Sequence, residues 1–82
     1  MDDANGREQA LVLVVEDDPD IQTLIARHLS EAGFSVITAM TAAEGFLLWS
    51  ERLPDLLVVD LMLPDGSGRG LVSQIRAAGD VP

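Results

Sequence analysis

Acidic side chains follow directly after two strongly apolar stretches of the chain. Glu16 and Asp17 come after the run 10–15, and Asp60 comes after the run 56–59. Runs that are apolar on both side-chain faces are typical of parallel strands buried between helices. Open α/β sheets form their ligand crevice at the carboxyl ends of such strands. If the two strands are neighbours, the three carboxylates should therefore lie close together at one edge of the sheet.

Three crowded carboxylates favour a particular chemistry. Their mutual repulsion raises the free energy of ionising all of them, and a hard divalent cation removes that repulsion. Mg²⁺ prefers oxygen ligands in octahedral geometry and commonly keeps several waters. An aspartate beside bound Mg²⁺ can attack a phosphoryl group, because the metal neutralises the negative charge on the oxygens of the group that is transferred. Taken alone, Asp60 could equally be an aspartate that caps the turn after its strand.

Helix signals separate the apolar runs. Pro19 favours a helix start with Asp18 as its N-cap, and apolar residues at helical spacing continue to Gly33. The segment 34–39 is a less uniformly apolar strand, which favours an edge position. The pattern Thr41 to Glu44 is a capping box that opens a second helix, whose apolar stripe (Ala42, Gly45, Phe46, Trp49 and Leu53) precedes a stop at Pro54.

A turn of Pro, Asp, Gly, Ser and Gly follows Asp60, and a third helix marked by Leu71, Val72 and Ile75 is predicted to end near Gly79. The predicted order is a strand followed by a helix, repeated three times. The strand ends are about 20 to 25 residues apart, as right-handed βαβ units require. The sequence therefore predicts the α/β class. Asp65 is interpreted as an ordinary turn residue ahead of Gly66.

Composition limits the possible functions. The 82 residues are 48% hydrophobic, enough for one packed domain, and carry 14 acidic residues against 5 basic ones, a formal net charge of −9. That charge opposes contact with nucleic acid. Cysteine is absent and no apolar run reaches the roughly 18 residues of a membrane span, so we expect a cytoplasmic protein with no membrane contact. Residues 1–9 are expected to form a disordered polar tail.

Two segments, VVEDDPD (14–20) and PDLLVVDLMLPDGSG (54–68), together closely resemble the receiver domain of two-component response regulators. The resemblance covers nearly all of the chain after the tail. It implies a flavodoxin-like, doubly wound parallel sheet of order 2-1-3-4-5. Residues 10–82 would supply the N-terminal portion, a βαβαβα unit with order 2-1-3.

The resemblance also implies roles for individual residues. Asp60 would be the phosphoacceptor, charged by a sensor histidine kinase or a phosphotransfer protein. Glu16 and Asp17 would hold Mg²⁺, with the backbone carbonyl of Met62 as a further ligand. Such a domain is not an enzyme beyond assisting its own phosphorylation and dephosphorylation. The segment DLMLPDGSG is similar to that of regulators that carry a C-terminal DNA-binding domain, which implies control of transcription.

Departures from the family pattern carry further expectations. The family completes its site with a Ser or Thr after the fourth strand and a Lys after the fifth, whereas this chain has no Lys. We expect strands 4 and 5 and the last two helices to be lacking, so that metal binding is at best weakened and phosphorylation of this portion alone is poor or absent. The third strand would then have an unpaired apolar edge, which predicts self-association by edge pairing or exchange of elements.

Two other functions stay open at this stage. One is a Mg²⁺-dependent phosphohydrolase with a nucleophilic aspartate, which usually carries a second aspartate two residues on. Met62 occupies that place, so this interpretation is disfavoured. The other is an interaction fold whose acids are not phosphorylated, for which Mg²⁺ should change neither stability nor Trp49 fluorescence. His28 is interpreted as a structural or surface residue, and the pair Gly66 and Gly68 lacks the third glycine of a nucleotide-binding loop.

Overall fold

The structure, a computed structural model, describes residues 9–78. Of the predicted polar tail, residues 1–8 lie outside this range, as does Gly79, the predicted end of the third helix. Gln9 is described, and its side-chain oxygen accepts a hydrogen bond from the Ser35 hydroxyl at 3.1 Å. The last residue of the predicted tail therefore contacts the second strand.

Three parallel strands form the sheet. The central strand β1 (Leu11–Val15) lies between β2 (Ser35–Ala39) and β3 (Leu56–Val59), giving the order β2-β1-β3. Val15, the last residue of β1, pairs with the last residue of β2 on one side and of β3 on the other. All three strands therefore end at one edge of the sheet. The predicted class, strand order and edge position of β2 are confirmed.

The helices are α1 (Pro19–Glu31), α2 (Ala42–Arg52) and α3 (Gly68–Ala78). Leu13 and Val15 of β1 pack with residues of α2 and α3 in the main core cluster, where Leu71 and Ile75 are fully buried. Helix α1 packs on β1 and β2 but contributes no residue to that cluster. Within residues 9–78, no helix combines the length and the apolarity that crossing a bilayer requires.

Both predicted helix caps are present. The Asp18 carboxylate accepts hydrogen bonds from the backbone N–H groups of Asp20 and Ile21 ahead of α1, as predicted. The Thr41 hydroxyl accepts from the N–H of Glu44 at 3.1 Å. The Glu44 carboxylate accepts from the N–H of Met40, one residue before the position that a capping box predicts. These bonds satisfy N–H groups that a helix start leaves without partners.

Two local expectations were wrong in part. The turn predicted over residues 64–68 is confined to Pro64 and Asp65, which connect β4 (Met62–Leu63) to β5 (Gly66–Ser67) in a small antiparallel hairpin. The third helix begins at Gly68, directly after β5. Leu53 leaves α2 in a left-handed conformation with φ of 48° and is 68% exposed, so it does not extend the apolar stripe. No residue of α1 is buried, because its apolar stripe is only partly covered by β1 and β2.

Candidate metal centre

The sheet itself places the acidic residues. The Glu16 N–H donates to the carbonyl oxygen of Ala39 at 2.9 Å, and the Asp60 N–H donates to that of Val15 at 2.9 Å. The parallel hydrogen-bond ladders thus continue one residue beyond β1 and β3. Since both strands end in register, their following residues are held side by side at the sheet edge.

Glu16, Asp17 and Asp60 form a single cluster. Each offers one carboxylate oxygen, and the three oxygens lie within 4.8 Å of one another. Glu16 is 9% exposed, whereas Asp60 is half-buried at the end of β3. The juxtaposition expected from the strand pattern is therefore present in the fold.

Backbone N–H groups fix the orientation of two of these carboxylates. Glu16 accepts from the N–H of Asp18 through Oε2 at 3.0 Å, and Asp60 accepts from the N–H of Met62 through Oδ1 at 3.0 Å. The Met62 side chain is 80% exposed, so this residue acts on the cluster through its backbone. A carbonyl ligand from Met62 stays a prediction.

Crowding of negative charge alters the titration of Glu16. The hydrogen bond from the Asp18 N–H lowers the pKa of the Glu16 carboxyl, but burial and the nearby Asp60 and Asp17 carboxylates raise it more. The pKa of Glu16 is consequently above its ordinary value. A group whose ionised form is disfavoured in this way gains from a bound cation, which replaces like-charge repulsion by attraction.

The donor set fits Mg²⁺. Each ligand oxygen lies about 2.1 Å from a bound Mg²⁺, so the ligand oxygens of one ion lie within about 4.2 Å of one another. The three carboxylate oxygens, which lie within 4.8 Å of one another, are close to this spacing. A shallow open depression lined by Asp17, Met62 and Pro64 lies beside the cluster. Carboxylates and water are the ligands that a hard cation prefers.

The hairpin after Asp60 is closed at its base by Gly68. The Gly68 N–H donates to the carbonyl oxygen of Leu61 at 3.0 Å. A Cβ atom at residue 68 would overlap the backbone carbonyl oxygen of Asp60 and would lie 2.7 Å from Cγ1 of Val59. The φ of Gly68 is outside the left-handed region, so glycine is needed here for the close approach of the backbone and not for its conformation.

Asp65 lies at the tip of the hairpin and has a role that sequence reasoning missed. Its carboxylate accepts hydrogen bonds from the N–H groups of Ala42 at 2.7 Å and Ala43 at 3.0 Å, in the first turn of α2. These two bonds lower the pKa of Asp65. The free N–H groups of a predicted helix start indicate that an acceptor is needed, but not that a residue 22 or 23 positions away supplies it.

Gln22 is a second residue that the sequence did not single out. Its side-chain amide on α1 donates to the carbonyl oxygens of Glu16 at 3.1 Å and Ala39 at 3.0 Å. The amide thus joins α1 to the ends of β1 and β2, and one of its partners, Glu16, belongs to the acidic cluster. A half-buried Gln in a helix gives no sequence signal for such a bridge.

A sequence model described as the response regulator receiver domain matches residues 12–82. The chain belongs to the response regulator receiver domain family. This confirms the resemblance inferred from the two motifs. Receiver domains are signalling phosphoacceptors rather than classical enzymes, and they bind Mg²⁺ at an acidic pocket.

Individual relatives agree with this family. The chain is 35% identical over 71 residues to a probable transcriptional regulator ycf27 of Guillardia theta, covering 87% of the chain and 28% of that protein. Its fold is similar to a CheY-like receiver domain from Methylobacillus flagellatus, with TM-score 0.82 and 33% identity over 85% of the chain and 59% of that structure.

A third relative is found in a signalling complex. A chain in the crystal structure of the histidine kinase ThkA with the response regulator protein TrrA matches with TM-score 0.84 and 30% identity, over 89% of this chain and 64% of that one. The present receiver chain thus spans less than two thirds of each of these three proteins.

Proposed function

We propose that this receiver chain is a phosphoacceptor of two-component signalling, with Asp60 taking a phosphoryl group from the histidine of a sensor kinase or phosphotransfer protein. The observation that carries the proposal is the clustering of Glu16, Asp17 and Asp60, with carboxylate oxygens within 4.8 Å of one another. A turn-capping role for Asp60 would need neither of the other two acids.

The proposed transfer is a nucleophilic displacement at phosphorus. An Asp60 carboxylate oxygen attacks phosphorus, the bond between phosphorus and the donor's imidazole nitrogen breaks, and that nitrogen leaves with the electron pair. The Met62 N–H holds Oδ1 of Asp60, which fixes the plane of the carboxylate. Glu16, Asp17 and the Met62 carbonyl are the residues that would hold Mg²⁺. The metal supplies charge neutralisation for the phosphoryl oxygens.

Partner and output follow from the relatives rather than from the site. The structural relative that contains the histidine kinase ThkA and the regulator TrrA supports a kinase as the donor. The name of the Guillardia theta relative supports control of transcription. We place this activity in the cytoplasm, in keeping with an acidic chain without cysteine.

The outer edge of β3 supports self-association. Among residues 9–78, β3 pairs only with β1, and Leu56 is 52% exposed. A groove beside this edge is lined by Trp49, Leu57 and Ile75. An unpaired apolar strand edge pairs readily with another strand, so a second copy of the chain is the proposed occupant.

Phosphoryl transfer is tested with a small acyl phosphate as donor. Uptake should require Mg²⁺ and should be lost in Asp60→Asn. Asp55→Asn is the matched control: Asp55 accepts a hydrogen bond from the Leu11 N–H at 2.8 Å, at the opposite end of the sheet, so uptake should persist. Equal uptake by Asp60→Asn would refute the assignment, and turnover of a chromogenic phosphate ester would favour the hydrolase alternative.

Self-association is tested by sedimentation at micromolar concentration. Leu56→Lys should shift the chain toward monomer, because a charge on the strand edge opposes pairing. Leu47→Lys is the control, since Leu47 is similarly exposed at 54% but lies on α2. A monomeric, cooperatively folded wild-type chain would rule out the edge contact.

A further inference from the structure

Asp65 connects the acceptor loop to a different part of the fold. The residue lies in the two-residue connection between β4 and β5, at the tip of the hairpin. Both oxygens of its carboxylate accept backbone N–H groups of the first turn of α2. Two hydrogen bonds to one planar group fix its orientation as well as its position, and bonds to an ionised acceptor are stronger than neutral ones.

The other end of the same hairpin contacts the acceptor. Met62, the first residue of β4, donates its N–H to Oδ1 of Asp60 at 3.0 Å. The base of the hairpin is held by the bond from Gly68 to Leu61, and Leu63 is buried in the core. The hairpin is therefore fixed at its base, its middle and its tip, and only the tip depends on Asp65.

Asp65 shares the capping of α2 with local residues, since it accepts the N–H groups of Ala42 and Ala43. The Thr41 hydroxyl and the Glu44 carboxylate already bond to N–H groups at the same helix start. What Asp65 adds is a link between that helix start and the segment that carries Met62. A residue that merely capped α2 could lie on either side of it in sequence, with no relation to the acidic cluster.

We propose that Asp65 is a positioning residue for the phosphoacceptor site: by tying the hairpin tip to α2, it holds the Met62 backbone in place against Asp60. The hydrogen bonds establish the link between Asp65 and α2, and the effect of this link on phosphorylation rests on the proposed function. Without the tie the hairpin is held only at its base and middle, so the Met62 N–H is held less firmly against Oδ1 of Asp60 and the Met62 carbonyl is positioned less precisely for the predicted metal.

The test uses Asp65→Ala and Asp65→Asn in the full chain, with Thr41→Ala as the matched control for helix capping. Mg²⁺ affinity is measured by titration followed through amide NMR shifts. We expect Asp65→Ala to weaken Mg²⁺ binding about tenfold, the effect typical of losing a residue that orients a ligand. Asp65→Asn keeps one acceptor oxygen and should lose less. Thr41→Ala should lower stability and leave Mg²⁺ affinity unchanged.

A second readout needs neither metal nor phosphate. Hydrogen exchange at the Met62 amide should accelerate in Asp65→Ala more than exchange at the Asp60 amide, which the sheet holds. Equal acceleration of both amides, or the same pattern in Thr41→Ala, would show general destabilisation and overturn the proposal. Equal losses of Mg²⁺ affinity in the Asn and Ala variants that disappear at high salt would reduce Asp65 to a charge effect, which also overturns it.

The two proposals fail in different ways. A wild-type chain that binds Mg²⁺ but takes up no phosphate contradicts the phosphoacceptor role, whereas the Met62 exchange pattern still decides the positioning role. A chain that takes up phosphate equally well in wild type and Asp65→Ala, with unchanged Met62 exchange, contradicts positioning alone.

Discussion

Gly68 lies against the backbone carbonyl of Asp60 so closely that no side chain fits between them. The contact joins the first residue of α3 to the proposed phosphoacceptor, and Val59 closes the same space from the preceding strand. Because the nearest obstructing atom is a backbone oxygen, it cannot move aside by a rotamer change. The start of α3 and the end of β3 are therefore packed as one unit.

Gly68→Ala should lower the free energy of unfolding by about 3 kcal/mol, the upper part of the range for overpacking. Gly70→Ala is the matched control two residues on, where a Cβ meets nothing within 4 Å. It should be neutral or stabilise α3 by about 0.5 kcal/mol, since alanine favours helix over glycine. Urea unfolding of both variants checks this. Equal effects of the two substitutions would contradict the close contact.

The bonds from Asp65 to α2 predict a dependence of stability on pH. The folded pKa of Asp65 is below its ordinary value of 3.8 because two N–H groups bond to the ionised form. The stabilisation is therefore fully present above pH 3.8 and is lost as pH falls through the folded pKa. Unfolding free energies of wild type and Asp65→Asn should converge as pH falls from about 5 to about 2. A difference that stays constant over this range would show that Asp65 is not bound through its charge.

The raised pKa of Glu16 predicts the opposite dependence of stability on pH. Its folded pKa lies above the ordinary value of 4.5, so the folded state holds this proton more tightly than the unfolded state. Unfolding free energy therefore falls as pH rises from 4.5 through the folded pKa. Glu16→Gln should be more stable than wild type at neutral pH without divalent cations, because it removes one of three crowded charges.

Adding Mg²⁺ should reverse that order. At about 100 times its dissociation constant, the metal should add about 2.7 kcal/mol to the stability of wild type. Glu16→Gln should gain clearly less at the same concentration, since a ligand charge is gone. Thermal unfolding with and without Mg²⁺ measures both effects, with exposed Glu51→Gln as the control. Equal gains in wild type and Glu16→Gln would exclude Glu16 from the metal centre.

The Gln22 bridge predicts a strong effect from an isosteric change. Gln22→Glu replaces the donor amide by a carboxylate that faces the carbonyl oxygens of Glu16 and Ala39. We expect a loss of about 1 to 3 kcal/mol, the scale of leaving buried polar groups unpaired. Gln74→Glu, at an exposed position of α3, makes the same change without such partners and should have little effect. Chemical denaturation at neutral pH distinguishes the two, and similar losses would argue against the bridge.

Local pattern predicted much of this fold and of the cluster. The doubly apolar runs before Glu16 and Asp60 identified β1 and β3, and the rule that parallel strands end together brought the acids to one edge. The sequence Asp18-Pro19 located the start of α1 to the residue. These features depend on neighbours in the chain or on strand order, and both can be recognised from the spacing of residues in the sequence.

Contacts between distant segments could not be predicted from residue spacing. Asp65 bonds to residues 22 and 23 positions earlier, and Gln22 bonds to Ala39, 17 positions later. The hairpin β4–β5 was interpreted as a turn because its two-residue strands are too short to show alternation. Gly68 was assigned to that turn, since a glycine required by close packing looks the same in sequence as one required by a turn.

The continuation of both ladders past the strands has a consequence for folding. Glu16 and Asp60 are held by backbone bonds to Ala39 and Val15, so their placement depends on how the strands align. A slip of β3 by one residue along β1 would turn Asp60 to the opposite side of the sheet. Correct strand alignment and assembly of the acidic cluster are therefore a single event, and a misaligned intermediate cannot bind the cation that the native chain would.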